Sequence, residues 1–361
     1  MALASGYLIC MLPSGNTITR NAIDLRVETL EPPTAVQRQE ALSLSGSRKV
    51  HDRLLASWPC LSTIETSAST VPVAPLSGLT VTAWNMERCK QVEQSADVIA
   101  GAGADVVLAT EMDRGMARSG QRDTPGDLAG CLGWGYAFGV EFVELGLGDV
   151  RETRDHAGEI NRQGLHGNAI LSRYRIDDVR LLPLEASGDW FVGAPKDDGQ
   201  VRVGGRMALA ARLATEREPV VIVAVHYESQ SDSTDRARQT RRLLECLANE
   251  FGDTRCIIGG DLNTKGFLQA GLAGSAMLDV AAETEPSFAH FAAEGFDWRH
   301  SNTGAHTTRL HPEDPPGSPL TTLDWLLVRG VHAGRPFVVP ACGANGRYLS
   351  DHEMVGATVW P

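Results

Sequence analysis

Short apolar runs in this chain stop repeatedly on a residue that can hold a cation or carry a proton. Trp84-Asn85-Met86-Glu87 closes the run that starts at Leu79, and Glu111 follows VVLAT. His226 ends VVIVAV, Asp261 and Asn263 end CIIGG, and Asp324 interrupts TTLDWLLV. Asp351 and His352 stand immediately before MVGATVW. A single carboxylate at a strand end ordinarily forms a turn or caps a helix. A whole set of Asn, Asp, Glu and His at strand ends is harder to assign to turns, because strand ends converge in space and can line one cleft. The set is rich in carboxylate and amide oxygen and holds no cysteine, which suits a hard cation, Mg²⁺ or Mn²⁺. Zinc is disfavoured: there is no HExxH, and His352-Glu353 is followed by Gly356 where a second histidine would fall. GxSxG, Walker A and GxGxxG motifs are missing as well. Gly101-Ala102-Gly103 lacks the third glycine and reads as the turn after a helix.

Strands must position these groups. Short β-branched runs lie at 79–86, 105–112, 136–145, 168–176, 207–213, 219–227, 255–263, 322–329 and 354–360. Helical patterns at 91–102 and 233–251 separate some of them. Many strands with fewer helices predict an α/β architecture, sheets packed together with helices outside. Before residue 79 the texture is mixed, with short helices predicted at 34–44 and 50–58. The Ser/Thr/Pro-rich stretch 66–78 then reads as a linker. Residues 1–78 are therefore expected to be an N-terminal appendage of unknown role, and 79–361 the catalytic domain. No internal repeat or low-complexity block occurs.

The 361 residues are 42% hydrophobic, enough for a sizeable core. Acidic residues outnumber basic ones 45 to 33, for a net charge of −12. A protein that binds nucleic acid by neutralising phosphates ordinarily carries a basic excess, so nucleic acid is a possible partner but not a favoured one. No apolar run reaches the roughly 18 residues of a membrane span. The mildly apolar start, residues 1–12, lacks a basic n-region and is cut by Pro13. A cytoplasmic location is thus expected ahead of secretion. The seven cysteines (Cys10, Cys60, Cys89, Cys131, Cys246, Cys256, Cys342) are odd in number, scattered and without CxxC. They fit reduced thiols filling small apolar gaps. Oligomeric state is not legible.

Taken in order, WNM (84–86), TEMD (110–113), GNAILSRYRI (167–176), VHYES (225–229), GGDLNT (259–264), LDWLLV (323–328) and SDHEMV (350–355) resemble the endonuclease/exonuclease/phosphatase superfamily. GDxN, then LDW, then SDH is the most specific part of the pattern. The resemblance covers 79–361 and implies the deoxyribonuclease I-like fold, a four-layered α/β sandwich of two mixed sheets packed face to face with helices outside. It also implies a metal-dependent hydrolase of phosphoester bonds. On that pattern Glu111 is the principal metal ligand, with Asn85 and Asp351 completing the oxygen shell. His226 and Asn263 would hold non-bridging phosphate oxygens, and Asp261 would orient or deprotonate water. His352, polarised by Asp324, would bind phosphate or transfer a proton. Asn168 and His166 are expected beside the cleft.

Two inserts could set the substrate: 113–166, and 275–321 with Trp298, Arg299, His300, His306 and Arg309. Arg309 could bind a second phosphate, and Trp298 could stack on a ring. Arg238 and Gln239 read as a solvated helix face at least as readily as a site. The leading expectation is a Mg²⁺- or Mn²⁺-dependent phosphodiesterase or phosphatase acting on a small or lipid-like phosphoester. The alternative is a DNA or RNA nuclease, which requires a basic stripe beside the cleft. A non-catalytic binding protein on the same fold would carry damage in the core set, yet Glu111, Asp261, Asn263, Asp324 and His352 are all present.

Overall fold

The β-branched runs pair into two mixed sheets that pack face to face. The computed structural model describes residues 20–75, 77–185, 188–193 and 199–360, so the apolar start and Cys10 lie outside the described residues. The first sheet runs in the order β1 (Arg26–Val27), β2 (Ile64–Ser67), β5 (Gly135–Glu144), β6 (Leu165–Ser172), β4 (Val106–Arg114), β3 (Leu79–Arg88), β14 (Met354–Trp360), β13 (His332–Val339). A short β8 (Arg202–Gly204) adds to β5. The second sheet runs β12 (Asp324–Arg329), β11 (Cys256–Asp261), β10 (Val220–His226), β9 (Met207–Leu213), β7 (Ile176–Pro183). Parallel pairs β3/β4 and β10/β11 sit beside antiparallel neighbours.

The period-two geometry of a strand divides its side chains between layers. Along β10, Ile222 and Ala224 join Val81, Leu108 and Ile170 between the sheets. Val221, Val223 and Val225 face the other way, onto the helices Ser233–Phe251 and Pro286–Ala293. On the far side of the first sheet, Trp84, Val107 and Phe138 pack under the helices Val92–Gly101 and Thr124–Leu132. Four layers result, and strands buried on both faces read as continuous apolar runs. At Gly259 the two sheets come close together. A Cβ there would come within 2.7 Å of Leu108 and 3.0 Å of Ala83. Gly260, at φ +141°, takes a conformation that only glycine adopts easily, and a Cβ would stand 2.0 Å from the Val225 carbonyl oxygen. These two glycines set where Asp261 emerges.

Within the segment expected as an appendage, β1 and β2 are strands of the first sheet. β2 pairs with β5 in the register Ile64↔Gly139, and Leu30, Trp58 and Leu61 enter the core beneath that sheet. Glu65 accepts hydrogen bonds from the Leu30 amide (2.8 Å) and the Tyr136 hydroxyl (2.7 Å), and pairs with Arg114. Buried Arg38 donates to the carbonyls of Pro33, Asn161 and Gln163. Within the expected linker, Val71 bridges Tyr174 and Ala74 bridges Thr215. Among the described residues no helix is long and apolar enough to cross a membrane.

Trp298 does not line a cleft. It is fully buried, packs edge-on to Phe288 at 4.9 Å, and donates its indole N–H to the Leu278 carbonyl at 2.9 Å. A long insert needs its own apolar anchor, and the largest side chain in 275–321 supplies it. Trp298→Ala is expected to lose about 3–5 kcal/mol of stability by denaturant titration. At a temperature where the variant is folded, kcat should stay unchanged.

Candidate active site

The site begins where strands deviate. The β3/β4 ladder shifts register between Asn85 and Arg88, and the β4/β6 ladder shifts between Ala109 and Met112, so Glu111 sits in a bulge. Bulges re-aim side chains at strand ends. Eight non-glycine residues have positive φ among those described, and five of them are Glu87, Arg88, Cys89, Glu111 and Asn263. Such backbone costs roughly 1–3 kcal/mol per residue and concentrates where function requires it.

The two sheets then bring their strand ends together. From β3, the Asn85 side-chain amide donates to Glu111 Oε1 and to Asp261 Oδ2, each at 3.2 Å. Asp261 Oδ2 also lies 3.6 Å from His226 Nε2 and 3.7 Å from His352 Nε2. The other Asp261 oxygen accepts the Asn263 amide N–H at 2.8 Å, and the Asn263 side chain donates to the Tyr227 carbonyl at 3.0 Å. Asn85, Glu111, His226, Asp261, Asn263 and His352 therefore meet in one place.

His352 is held by both sheets. Trp84 donates its indole N–H to the His352 carbonyl at 2.8 Å. Ser350 donates its hydroxyl to the Asn85 carbonyl and accepts the His352 amide. From β12, Asp324 Oδ2 stands 2.7 Å from His352 Nδ1, while the Asp324 amide is fixed by the Thr307 hydroxyl. Burial alone would discharge His352, but the carboxylates of Asp324, Asp261 and Asp351 outweigh it and hold the ring well above the usual histidine range. Asp261 also shifts upward, but there burial prevails. Burial, with Asp324 nearby, pushes its carboxyl up to about 6, and His352 opposes the rise.

Arg206, Arg88, Glu141 and Glu87 were not among the expected residues. Arg206, just before β9, reaches His226 Nδ1 at 3.0 Å, Glu228 at 3.0 Å and Glu141 at 3.2 Å. Its one signal in the sequence is a charge at the entry of the apolar run MALAARL. Arg88 pairs with Glu111, and its Nε donates to Glu152 at 3.1 Å. Glu87 accepts the Asp351 amide and Lys90, each at 3.1 Å. Arg88 and Glu87 follow WNM directly, so their position, though not their contacts, was legible.

Asn85, Glu111 and Asp351 offer oxygen donors only, chemistry that fits a hard divalent cation. Among the described residues, it is Asp261, Asp324 and His352 that bring potential ligand atoms within 4.8 Å of one another. There the Asp324–His352 hydrogen bond already engages both partners, so that trio is better described as an oriented acid–imidazole pair beside a second carboxylate. Arg88 competes with any cation for Glu111. Arg88→Gln is expected to tighten Mn²⁺ binding to EDTA-treated protein by about fivefold or more in calorimetric titration. Unchanged or weaker affinity would show that the guanidinium does not compete.

The expected substrate residues divide. His166 is buried, with Nδ1 2.9 Å from Asp113 Oδ1, inside a network in which Arg118 grips Asp113 twice at 2.8 Å and Glu152 once at 2.8 Å. Burial lowers its pKa to about 3, so it is a neutral supporting ring behind the cleft. Asn168 is fully buried opposite the Glu111 bulge. Its amide donates to the Met207 carbonyl at 3.1 Å, and its Oδ1 has no partner among the described residues. Arg309 lies at the rim, its backbone N–H on the Asp351 carbonyl at 2.6 Å and its guanidinium 2.8 Å from Glu353. Arg299 stacks on Trp298 instead of facing the cleft residues, and Arg238 is exposed and paired with Asp235.

Asp261 is thus a buried acid between the two sheets, hydrogen-bonded by the Asn85 amide, with the His226 and His352 nitrogens 3.6 and 3.7 Å away and the Glu111 carboxylate on the other side of Asn85. The chain belongs to the endonuclease/exonuclease/phosphatase family, whose sequence model matches residues 82–352. It is an enzyme of the phosphoester-hydrolase class, and divalent metals are general in the family. Among solved structures, an endonuclease/exonuclease/phosphatase from Beutenbergia cavernae is similar at 18% identity and TM-score 0.53, over 78% of this chain and 71% of that one. The human Nocturnin catalytic domain with bound sulfate is similar at 15% identity and TM-score 0.52, over 82% and 96%. An endonuclease/exonuclease/phosphatase family protein from Leptotrichia buccalis gives 13% identity and TM-score 0.51, over 78% and 99%. At these identities the likeness establishes the fold. A comparison with curated proteins finds no match.

Proposed function

We propose that the protein hydrolyses a small or lipid-like phosphodiester or phosphomonoester with Mg²⁺ or Mn²⁺. The observation that carries this reading is the convergence of Asn85, His226 and His352 on a single buried oxygen of Asp261. Glu111, with Asn85 and Asp351, would hold the cation, which when bound supplies positive charge to the phosphate oxygens. Asp261 accepts a proton from water as the water oxygen attacks phosphorus. A carboxyl with a pKa near 6 is matched to that task at neutral pH. His226 and the second N–H of the Asn263 side-chain amide donate to non-bridging oxygens as charge gathers on them. His352, kept cationic by Asp324, faces the same centre and delivers a proton to the departing oxygen. The acidic net charge of −12 favours small phosphoesters over long nucleic acids.

The test is a panel of phosphoesters, including bis-p-nitrophenyl phosphate, p-nitrophenyl phosphate and short-chain phospholipid headgroup esters. The enzyme is assayed after EDTA treatment and again with each metal restored. Metal-restored turnover of small esters is expected, with no nicking of plasmid DNA at equal enzyme. Inertness towards every ester overturns the reading, and efficient nicking replaces it with a nuclease.

A further inference from the structure

His226 ends β10 with its ring 3% exposed, and Arg206 holds that ring from behind. The guanidinium is itself pinned: Nε donates to Glu228 Oε2 at 3.0 Å, Nη1 to Glu141 Oε2 at 3.2 Å, and the group lies 5.3 Å from the centroid of the Phe142 ring. Arg206 Nη1 stands 3.0 Å from His226 Nδ1. A guanidinium offers N–H groups and no lone pair, so the nitrogen facing it has to be the acceptor. The Glu141 oxygen nearest that nitrogen, at 3.8 Å, is beyond hydrogen-bond distance. The single ring proton then resides on Nε2. That nitrogen looks into the cleft, 3.6 Å from Asp261 Oδ2 and 3.9 Å from Glu111 Oε1, so neither carboxylate holds its N–H at hydrogen-bond length.

We infer that Arg206 is a positioning residue that fixes His226 as the neutral Nε2–H tautomer, keeping one donor aimed at a non-bridging phosphate oxygen. The inference rests on His226 acting as that donor. In the opposite tautomer the Nε2 lone pair would face the phosphate oxygen and repel it. The two histidines of the centre are thus set by opposite partners. His352 has a carboxylate behind its Nδ1 and His226 has a guanidinium, so the first ring carries a proton on Nδ1 and the second does not.

The test uses the full chain carrying ¹⁵N-labelled histidine, read by long-range ¹H–¹⁵N correlation, with the His226 signals assigned from His226→Gln. The expected result is a pyridine-like Nδ1 and a pyrrole-like Nε2 in wild type. Arg206→Lys, which also presents only donors, should keep the pattern, and Arg206→Met should lose it. Against the best phosphoester, Arg206→Met should lower kcat by about a hundredfold with KM within about threefold, and Arg206→Lys should restore most of the loss. A pyrrole-like Nδ1 in wild type, or an unchanged tautomer in folded Arg206→Met, overturns the inference. If Arg206→Met does not fold, wild type and Arg206→Lys decide it. The spectrum does not depend on turnover, so a chain inert to every phosphoester would defeat the proposed reaction while the tautomer is still read.

Discussion

Asp261→Asn is expected to lower kcat about 10³- to 10⁴-fold, the usual contribution of a positioned base, while KM moves little. Asparagine preserves shape and can still meet the Asn263 amide, but it cannot take a proton from water. Stability should respond in the opposite sense to activity. The folded-state pKa of about 6 lies above the ordinary carboxylate value of 3.8, so the native protein binds this proton more tightly than the unfolded chain does. Any stabilisation from the protonated form is present below 3.8 and lost as pH rises to about 6. At neutral pH the ionised group therefore destabilises the fold, and the uncharged variant should melt at the same temperature as wild type or higher. In wild type, kcat/KM should fall about tenfold per pH unit below pH 6, because the basic form is required. A rate that stays flat to pH 5 would remove Asp261 from the role of base.

His352→Ala and Asp324→Asn form the second large expectation. Asp324 Oδ2 lies 2.7 Å from His352 Nδ1, fixing the ring's orientation and favouring its charge. Asp324→Asn should cost about 10³- to 10⁴-fold in kcat by turning the wrong nitrogen or the wrong charge toward the phosphate, as in other carboxylate–imidazole pairs. His352→Ala should cost a similar factor. Because the two act as one unit, the double variant should be little worse than either single one. Additive losses in steady-state kinetics would mean the pair does not function together.

The strands carrying the site were readable because both faces of each are buried. Val220–His226 and Cys256–Asp261 are unbroken apolar runs ending on a polar residue. β7 and β13 escaped notice for the converse reason. Ile176–Pro183 carries Asp177, Asp178 and Arg180, and His332–Val339 is half-exposed and includes Gly334 and Pro336, so neither shows clean alternation. The integration of residues 20–78 was also illegible. Two tiny strands and a buried Arg38 bonded to carbonyls over 120 residues away leave no local trace. Among site residues, Glu111, Asp261 and His352 announce themselves by type and place. Trp298 misled, since an aromatic in a polar loop reads equally as platform or anchor, and only packing against Phe288 decides. Glu141 left no trace and Arg206 only a charge at a strand entry, because their importance lies in what faces them across the two sheets.

Asn85 and Glu111 belong to one sheet of the sandwich, with His352 just before its strand β14, while His226, Asp261 and Asp324 belong to the other. Whatever occupies the centre therefore works as a rivet between two slabs joined mainly by greasy contact, with the Arg206–Glu141 pair beside it. Filling it should stiffen the sandwich against shear, so divalent ion together with inorganic phosphate should raise the melting temperature by more than either achieves alone.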